Sequence, residues 1–192
     1  MSTSVKFSHD EYQEMIRIGL FNPPEDHRVE LIFGRIVPKY GSDPMSPINP
    51  PHEDSVDDLT EWSGEVADRG AVRLRIQSSI GVPGLRSQPE PDVVWLARDD
   101  DSQRRPGPEK VLLLIEVSDT TLAKDRGVKS RHYAKAGIRD YWIVNISGRC
   151  IKVRRDPRDS KYQDIRVYHP GQEIRPLAFR EIVLPVERIF PD

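Results

Sequence analysis

A carboxylate inside the most hydrophobic stretch of the chain constrains its fold and chemistry more than any other feature. Glu116 interrupts an apolar run that begins at Val111 and ends at Val117. A run of this length and composition predicts a buried strand near the centre of a sheet. Burying an ionised carboxylate there is costly unless a basic side chain pairs with it, its pKa rises, or a cation binds to it. Glu116 is therefore the first candidate for a functional residue.

A second acidic residue raises the same question. Asp92 lies at the start of a predicted strand that extends from Pro91 to Leu96. If this strand neighbours the one that carries Glu116, both carboxylates lie at one end of the sheet, where a divalent cation between them would relieve their repulsion. Oxygen ligands alone suit magnesium or manganese rather than zinc. Ion pairs with some of the 29 Lys and Arg residues are the alternative that the sequence leaves open.

Hydrophobic periodicity predicts a series of helices and strands. Ser8 and Glu11 have the spacing of a capping box, which predicts a short amphipathic helix with Tyr12, Met15, Ile16 and Ile18 on one side. Without a repeat or a linker, the sequence predicts a single α/β domain over 1–192. The other expected elements are a pair of short strands at 29–37, a helix at 52–69, strands at 71–77, 91–96 and 111–117, a helix from 120 or 121 to 135 or 136, strands at 140–145, 150–154 and 161–168, and a tail at 179–190 that packs against the sheet.

Three further residues are candidates because of where the predicted elements place them. Glu30, in the first short strand, would supply a third oxygen ligand, or it is an ordinary exposed strand residue. Lys129 and Tyr133 are four residues apart and share one face of the helix that follows Glu116. An ammonium group near two metal-binding carboxylates would orient the attacking water or neutralise charge on the reacting phosphate. An ion pair between Asp125 and Lys129 is the simpler alternative.

Composition excludes several classes of protein. A net charge of −2 is not that of a basic nucleic-acid coat protein, although it is compatible with an enzyme whose acidic site offsets a basic patch. The single cysteine, Cys150, excludes an internal disulfide and a zinc ribbon. The first residues lack a signal-peptide pattern, and no apolar run approaches the roughly 20 residues of a membrane span. We therefore expect a cytoplasmic protein without a membrane partner.

Several segments, in order, resemble the Uma-two family of restriction-endonuclease-like proteins, within the PD-(D/E)XK nuclease superfamily. A Pro-Asp strand, a Glu in a hydrophobic strand about two dozen residues later, and a following helix are the superfamily pattern. The resemblance extends from about residue 8 to 190 and is carried by 30–37, 51–52, 88–92, 114–118, the spacing of Asp125, Lys129 and Tyr133, 136–144 and 184–190.

The resemblance implies a restriction-endonuclease-like fold, a mixed β-sheet core flanked by helices, of the α/β (α+β) class. By position, Asp92 and Glu116 would bind Mg²⁺ or Mn²⁺, and Glu30 would complete the acidic cluster. The superfamily lysine usually lies two residues after the second acid, where this chain has Ser118. In the Uma-two family a lysine of the following helix takes its place, and Lys129 occupies that position.

The function implied is a metal-dependent endonuclease that hydrolyses phosphodiester bonds in DNA. The alternatives are a nuclease that acts on RNA and an inactive nuclease-fold module that serves as a binding protein or scaffold. A homodimer is expected by analogy with relatives that cut both strands. Substrate contacts are expected from His52, which would otherwise cap or pack a helix, and from Gln77 and Tyr133. They are also expected from Arg73, Arg75, Arg86 and the Arg154–Arg155 pair, each of which is otherwise a solvated surface charge.

Overall fold

The computed structural model describes residues 5–21, 29–39, 50–98, 105–118 and 123–191. Three α-helices and ten strands lie within these ranges. They are α1 (His9–Arg17), β1 (Val29–Ile32), β2 (Arg35–Pro38), α2 (Pro50–Val66), β3 (Val72–Ile76), β4 (Val93–Ala97), β5 (Val111–Ser118), α3 (Ala123–Lys135), β6 (Asp140–Asn145), β7 (Cys150–Arg158), β8 (Lys161–Tyr168), β9 (Glu173–Ile174) and β10 (Leu184–Pro185).

In the described part of the chain, the largest sheet is mixed and has six strands in the order β3–β4–β5–β6–β7–β8. All neighbours are antiparallel except β5 and β6, which are parallel. A parallel pair requires a crossover connection, and α3 provides it. The hydrophobic run around Glu116 is therefore an inner strand, as its composition predicts.

Alternation along β5 decides which face each side chain occupies. Leu113, Ile115 and Val117 belong to the larger apolar cluster, which includes residues of α2, whereas Leu114 belongs to the cluster that includes residues of α3. Since successive strand residues point to opposite faces, Glu116 points toward α3 together with Leu114. Val93 of β4 packs in the larger cluster. Val94 and Asp92, one residue to either side of Val93, therefore point to the opposite face of the sheet, the α3 side.

Aromatic side chains form the centre of the larger cluster. Trp62 of α2 stacks on Trp95 and Trp142, with ring centroids 5.2 and 6.0 Å away. Its indole N–H donates to the Val183 carbonyl at 2.9 Å, which ties the C-terminal segment to the helix. Leu184 and Phe190 are buried here, so the prediction that the tail packs against the sheet is confirmed.

The β1–β2 hairpin forms a separate two-stranded sheet rather than extending the large one. Its turn contains Phe33 and Gly34, both with positive φ. A Cβ on Gly34 would lie 3.0 Å from the Phe7 carbonyl oxygen, so the turn requires glycine. Backbone bonds from Gly34 to Arg86 and from Gln88 to Leu31 attach the hairpin to the loop before β4. This attachment brings Glu30 to the sheet end that carries Asp92.

Several predicted boundaries were wrong. Helix α2 begins at Pro50 rather than at residue 52, because proline is well tolerated in the first turn of a helix, and it ends at Val66 rather than at 69. Strand β4 begins at Val93, so Asp92 precedes it. Strand β7 continues to Arg158 because it forms a long hairpin with β8. The predicted start of α3 at 120 or 121 lies outside the described residues.

Helix α1 is capped as the sequence predicts, but it is less buried. The Ser8 hydroxyl accepts from the Glu11 N–H at 3.1 Å, and the Glu11 carboxylate accepts from the Ser8 N–H at 2.7 Å. Of the four residues expected on one side, Tyr12 is buried and Met15 is half-buried, whereas Ile16 and Ile18 are exposed. The Tyr12 hydroxyl donates to the Val29 carbonyl at 2.9 Å. The helix therefore supports the strand that carries Glu30 through this single tyrosine.

Loss of the cap should destabilise the protein modestly. We expect Ser8→Ala to lower the free energy of unfolding by about 1 kcal/mol, because an N–H of the first turn loses its acceptor. Urea denaturation measures the change, and Ser8→Thr, which keeps the hydroxyl, should stay close to the intact protein. An equal loss in both variants would contradict the capping role.

Candidate active site

Glu116 lies between two side chains of α3. The Lys129 ammonium donates to both of its carboxylate oxygens, at 3.1 and 3.2 Å, and the Tyr133 hydroxyl donates to Oε1 at 2.6 Å. Lys129 and Tyr133 are one helical turn apart, so both reach the same point of β5. Glu116 is only 7% exposed. This geometry relates three of the residues selected from the sequence.

Glu30 joins the same group from the hairpin. It is 1% exposed, so the alternative of an ordinary exposed strand residue was wrong. The Lys129 ammonium lies 3.2 Å from Glu30 Oε1 and 3.1 Å from Oε2. Oε1 also accepts from the Glu90 N–H at 2.7 Å. One lysine therefore lies between the carboxylates of Glu30 and Glu116.

Asp92 is held beside Glu116 by the backbone of β5. Its Oδ2 accepts from the Val117 N–H at 2.8 Å, and His52 Nε2 of α2 lies 3.6 Å from the same oxygen. Its Oδ1 lies 3.6 Å from the Lys39 ammonium and accepts no hydrogen bond, although it is buried. One oxygen of Asp92 is thus oriented by a backbone N–H, whereas the other is buried without a hydrogen bond.

Two participants were missed in the sequence. Lys39, just after β2, forms an ion pair with Glu90 at 2.9 Å, and its side chain is 2% exposed. Glu90 lies between two prolines, two residues before Asp92, and this position was the available signal for it. No signal pointed to Lys39, because it follows a short strand and only the docking of the hairpin brings it to Asp92.

Burial and charge shift the pKa values of the carboxyls in opposite directions. Burial raises the pKa of Glu116 to about 7; the carboxylates of Asp92 and Glu30 raise it as well, and together they outweigh the opposing Lys129 ammonium and the Tyr133 hydrogen bond. Burial also raises the pKa of Asp92, but His52 and Lys39 outweigh it and hold that pKa below its usual value. Asp92 is therefore charged at neutral pH, whereas Glu116 is poised to gain or lose a proton.

The carboxylates fit a magnesium or manganese ion of low protein coordination. Among the described residues, no group of three or more His, Cys, Asp or Glu side chains forms a ready cage for a metal. Mg²⁺ does not require one, because proteins bind it through one or two carboxylates together with water and substrate phosphates. The open Asp92 Oδ1 and the oxygen-only donor set agree with such an ion. Asp92 and Glu116 are the residues that would bind it.

The remaining substrate-contact candidates are placed differently. The Gln77 N–H donates to the Asp92 carbonyl at 2.9 Å, so this residue adjoins the acidic cluster. Arg75 and Arg73 follow along β3 on the same face, since Val72, Leu74 and Ile76 pack on the other. Arg155 was misjudged, because its guanidinium binds the buried Asp140 at 2.7 Å. The alternative pairing of Lys129 with the Asp125 side chain lies outside the described residues.

A fold comparison defines the class of protein. A crystal structure described as that of a "putative nuclease" from Anabaena variabilis is similar to the chain with a TM-score of 0.72 at 16% identity, covering 96% of this chain and 97% of that one. The mixed sheet flanked by helices is thus the restriction-endonuclease-like fold that the sequence predicts. No match is found among curated proteins.

Residues 9–187 match the model of the Uma2 (Uma-two) family, described as "Putative restriction endonuclease", and the chain belongs to this family. The resemblance found in the sequence is therefore confirmed. Membership supports a nuclease function, with nucleic acid as substrate and hydrolysis as the reaction class. No helix in the described part of the chain has both the length and the apolar character needed to cross a bilayer.

Proposed function

We propose that the protein is a magnesium- or manganese-dependent endonuclease that cleaves DNA at the site formed by Glu30, Asp92, Glu116 and Lys129. The observation that supports it most is the position of the Lys129 ammonium, within 3.2 Å of carboxylate oxygens of both Glu30 and Glu116. A lysine beside an acidic cluster can orient water and stabilise negative charge on a phosphate, and here the lysine comes from α3 rather than from the strand.

Each residue has a role in this proposal. Asp92 and Glu116 hold the divalent ion, which when bound polarises the phosphate and makes water a better nucleophile. The Lys129 ammonium orients the attacking water and compensates the negative charge that develops on the phosphate. Tyr133 fixes the Glu116 carboxylate through its 2.6 Å hydrogen bond. Glu30 keeps the ammonium at the acidic cluster.

Basic residues beside the cluster support a nucleic-acid substrate. Arg75 and Arg73 lie two residues apart on one face of β3, and Gln77 directly follows the strand. The charges of Arg75 and Glu90 both shift the pKa of Arg105, so Arg105 lies near them. Burial is the largest cause and lowers this pKa; Arg75 lowers it further, whereas Glu90 raises it. Guanidinium groups bind phosphate oxygens well, so we propose that this side of the site contacts the nucleic-acid backbone.

Calorimetry and plasmid cleavage test the proposal together. We expect the intact protein to bind Mn²⁺ and to nick supercoiled plasmid in Mg²⁺ or Mn²⁺ but not in EDTA. Asp92→Asn should bind Mn²⁺ at least about tenfold more weakly, since a neutral amide replaces a charged ligand. Asp164→Asn, on the far strand β8, is the matched control and should bind normally.

The alternatives are distinguished by outcome. Mn²⁺ binding with cleavage of RNA but not of plasmid would replace the DNA substrate by RNA. An intact protein that binds no Mn²⁺ would refute the metal site and favour a binding or scaffold module with a nuclease fold. A homodimer, which would present two sites to a duplex, and a cytoplasmic location remain predictions from the sequence.

A further inference from the structure

A second buried lysine lies beside Asp92 and has no role in the reaction as proposed. The Lys39 ammonium is 2.9 Å from Glu90 Oε1 and 3.6 Å from Asp92 Oδ1. The side chains of Lys39 and Asp92 are each 2% exposed. Withdrawing an ammonium group from water to this degree is costly unless nearby negative charge compensates it. The burial of Lys39 therefore depends on the negative charge of Glu90 and Asp92.

The two oxygens of Asp92 are treated differently. Oδ2 receives the Val117 N–H at 2.8 Å, whereas Oδ1 is buried and accepts no hydrogen bond. Lys39 lies nearer to Oδ1, but at 3.6 Å its ammonium compensates the charge without forming a close contact. A buried carboxylate oxygen that has a neighbouring charge and no hydrogen bond is available to a cation that can approach it more closely.

The net charge of the cluster equals that needed to balance one divalent ion. Glu30, Glu90, Asp92 and Glu116 carry four negative charges when all four are ionised, and Lys39 and Lys129 carry two positive charges, so these six side chains sum to −2. A single divalent cation would neutralise this remainder. Lys129 is already bonded to two carboxylates. Lys39 is the lysine that shares Asp92 with such an ion.

We propose that Lys39 is a positioning residue that compensates Asp92 until a divalent cation enters, and that competes with this cation for Asp92 Oδ1. On entry of the ion, the ammonium stays with Glu90 and moves away from Asp92, because the two positive charges repel each other. The inference rests on the proposed function, since it requires a divalent ion at Asp92. It assigns Lys39 to the control of metal affinity rather than to the reaction with phosphate.

Calorimetry with Mn²⁺ alone tests the competition. Lys39→Met should bind Mn²⁺ at least about tenfold more tightly than the intact protein, because a charge that repels the ion is gone. Lys39→Arg keeps the charge and should bind as the intact protein does. Lys161→Met, an exposed lysine of β8, controls for the loss of one positive charge anywhere. A lysine that only supports the hairpin would instead give unchanged or weaker binding in Lys39→Met, and that result would overturn the proposal.

A second measurement uses the intact protein and does not depend on the folding of a variant. Acetic anhydride labelling read by mass spectrometry reports the exposure of each lysine. We expect Mn²⁺ to increase the labelling of Lys39 relative to Lys161, and no change would contradict the displacement. If the intact protein and Lys39→Met both bind no Mn²⁺, the proposed function fails and this inference with it. If both bind equally, only the role of Lys39 fails.

Discussion

Replacing Lys129 with methionine is expected to lower the rate of metal-dependent cleavage by about 1,000-fold, the upper range for removing one group that stabilises charge in the transition state. Methionine has a similar length and no charge, so the change removes the ammonium from between Glu30 and Glu116 and little else. The measurement is single-turnover nicking of supercoiled plasmid at saturating Mn²⁺. Cleavage at the rate of the intact protein would exclude Lys129 from the reaction.

Lys135→Met is the matched control for this experiment. Lys135 lies on the same helix and is exposed, so its loss should leave cleavage unchanged. The fold should survive Lys129→Met, because Glu116 can take up a proton once the ammonium is gone. Mn²⁺ binding by the variant, measured by calorimetry, shows whether the loss of cleavage arises in the reaction rather than in assembly of the site. A variant that neither binds nor cleaves would instead make Lys129 a structural residue.

The residues predicted best were those whose local sequence is unusual. Glu116 is recognisable because a carboxylate within an apolar run is a strong anomaly in one short window. Lys129 and Tyr133 are recognisable from their spacing of four residues, which places them on one helix face. The sequence left open whether the carboxylates pair with lysines or bind a cation. The structure pairs Glu116 with Lys129 and still leaves Asp92 Oδ1 without a hydrogen bond, so the two interpretations are compatible.

The residues predicted poorly depend on how separate pieces of the chain pack. Lys39 and Glu90 meet only because the hairpin attaches to the loop before β4, and no periodicity in either segment encodes that contact. Arg155 looked like a surface charge, but it binds Asp140 across the antiparallel pair of β6 and β7. In α1, the pattern of apolar residues predicted more burial than Ile16 and Ile18 have. Local patterns thus identify elements and anomalies, whereas partners depend on tertiary contacts.

In the intact protein, the free energy of unfolding is expected to fall by about 3 kcal/mol between pH 5 and 8 as Glu116 loses its proton. Replacing Glu116 with glutamine should abolish this fall. The pKa of Glu116 is about 7 in the folded protein and 4.5 in an unperturbed glutamate, a difference that corresponds to about this free energy. Because the folded state holds the proton more tightly, this stabilisation is complete below pH 4.5 and is lost as the pH rises through 7. Glutamine keeps a hydrogen-bond acceptor and the shape of the side chain, but it does not titrate.

The pKa of Asp92 shifts in the opposite direction, and its effect on the free energy of unfolding falls outside pH 5 to 8. Its pKa is lowered from 3.8, so its stabilisation is present above that pH and is lost only under more acidic conditions.

Urea denaturation of the intact protein and Glu116→Gln across pH 5 to 8 measures the effect of Glu116, and the five histidines contribute equally to both proteins. Glu181→Gln, at an exposed position, is the control and should follow the intact protein. Parallel curves for the intact protein and Glu116→Gln would show that Glu116 titrates as in water. Mn²⁺ should flatten the curve of the intact protein alone, because an ion bound at Glu116 stabilises the charged carboxylate in the folded state.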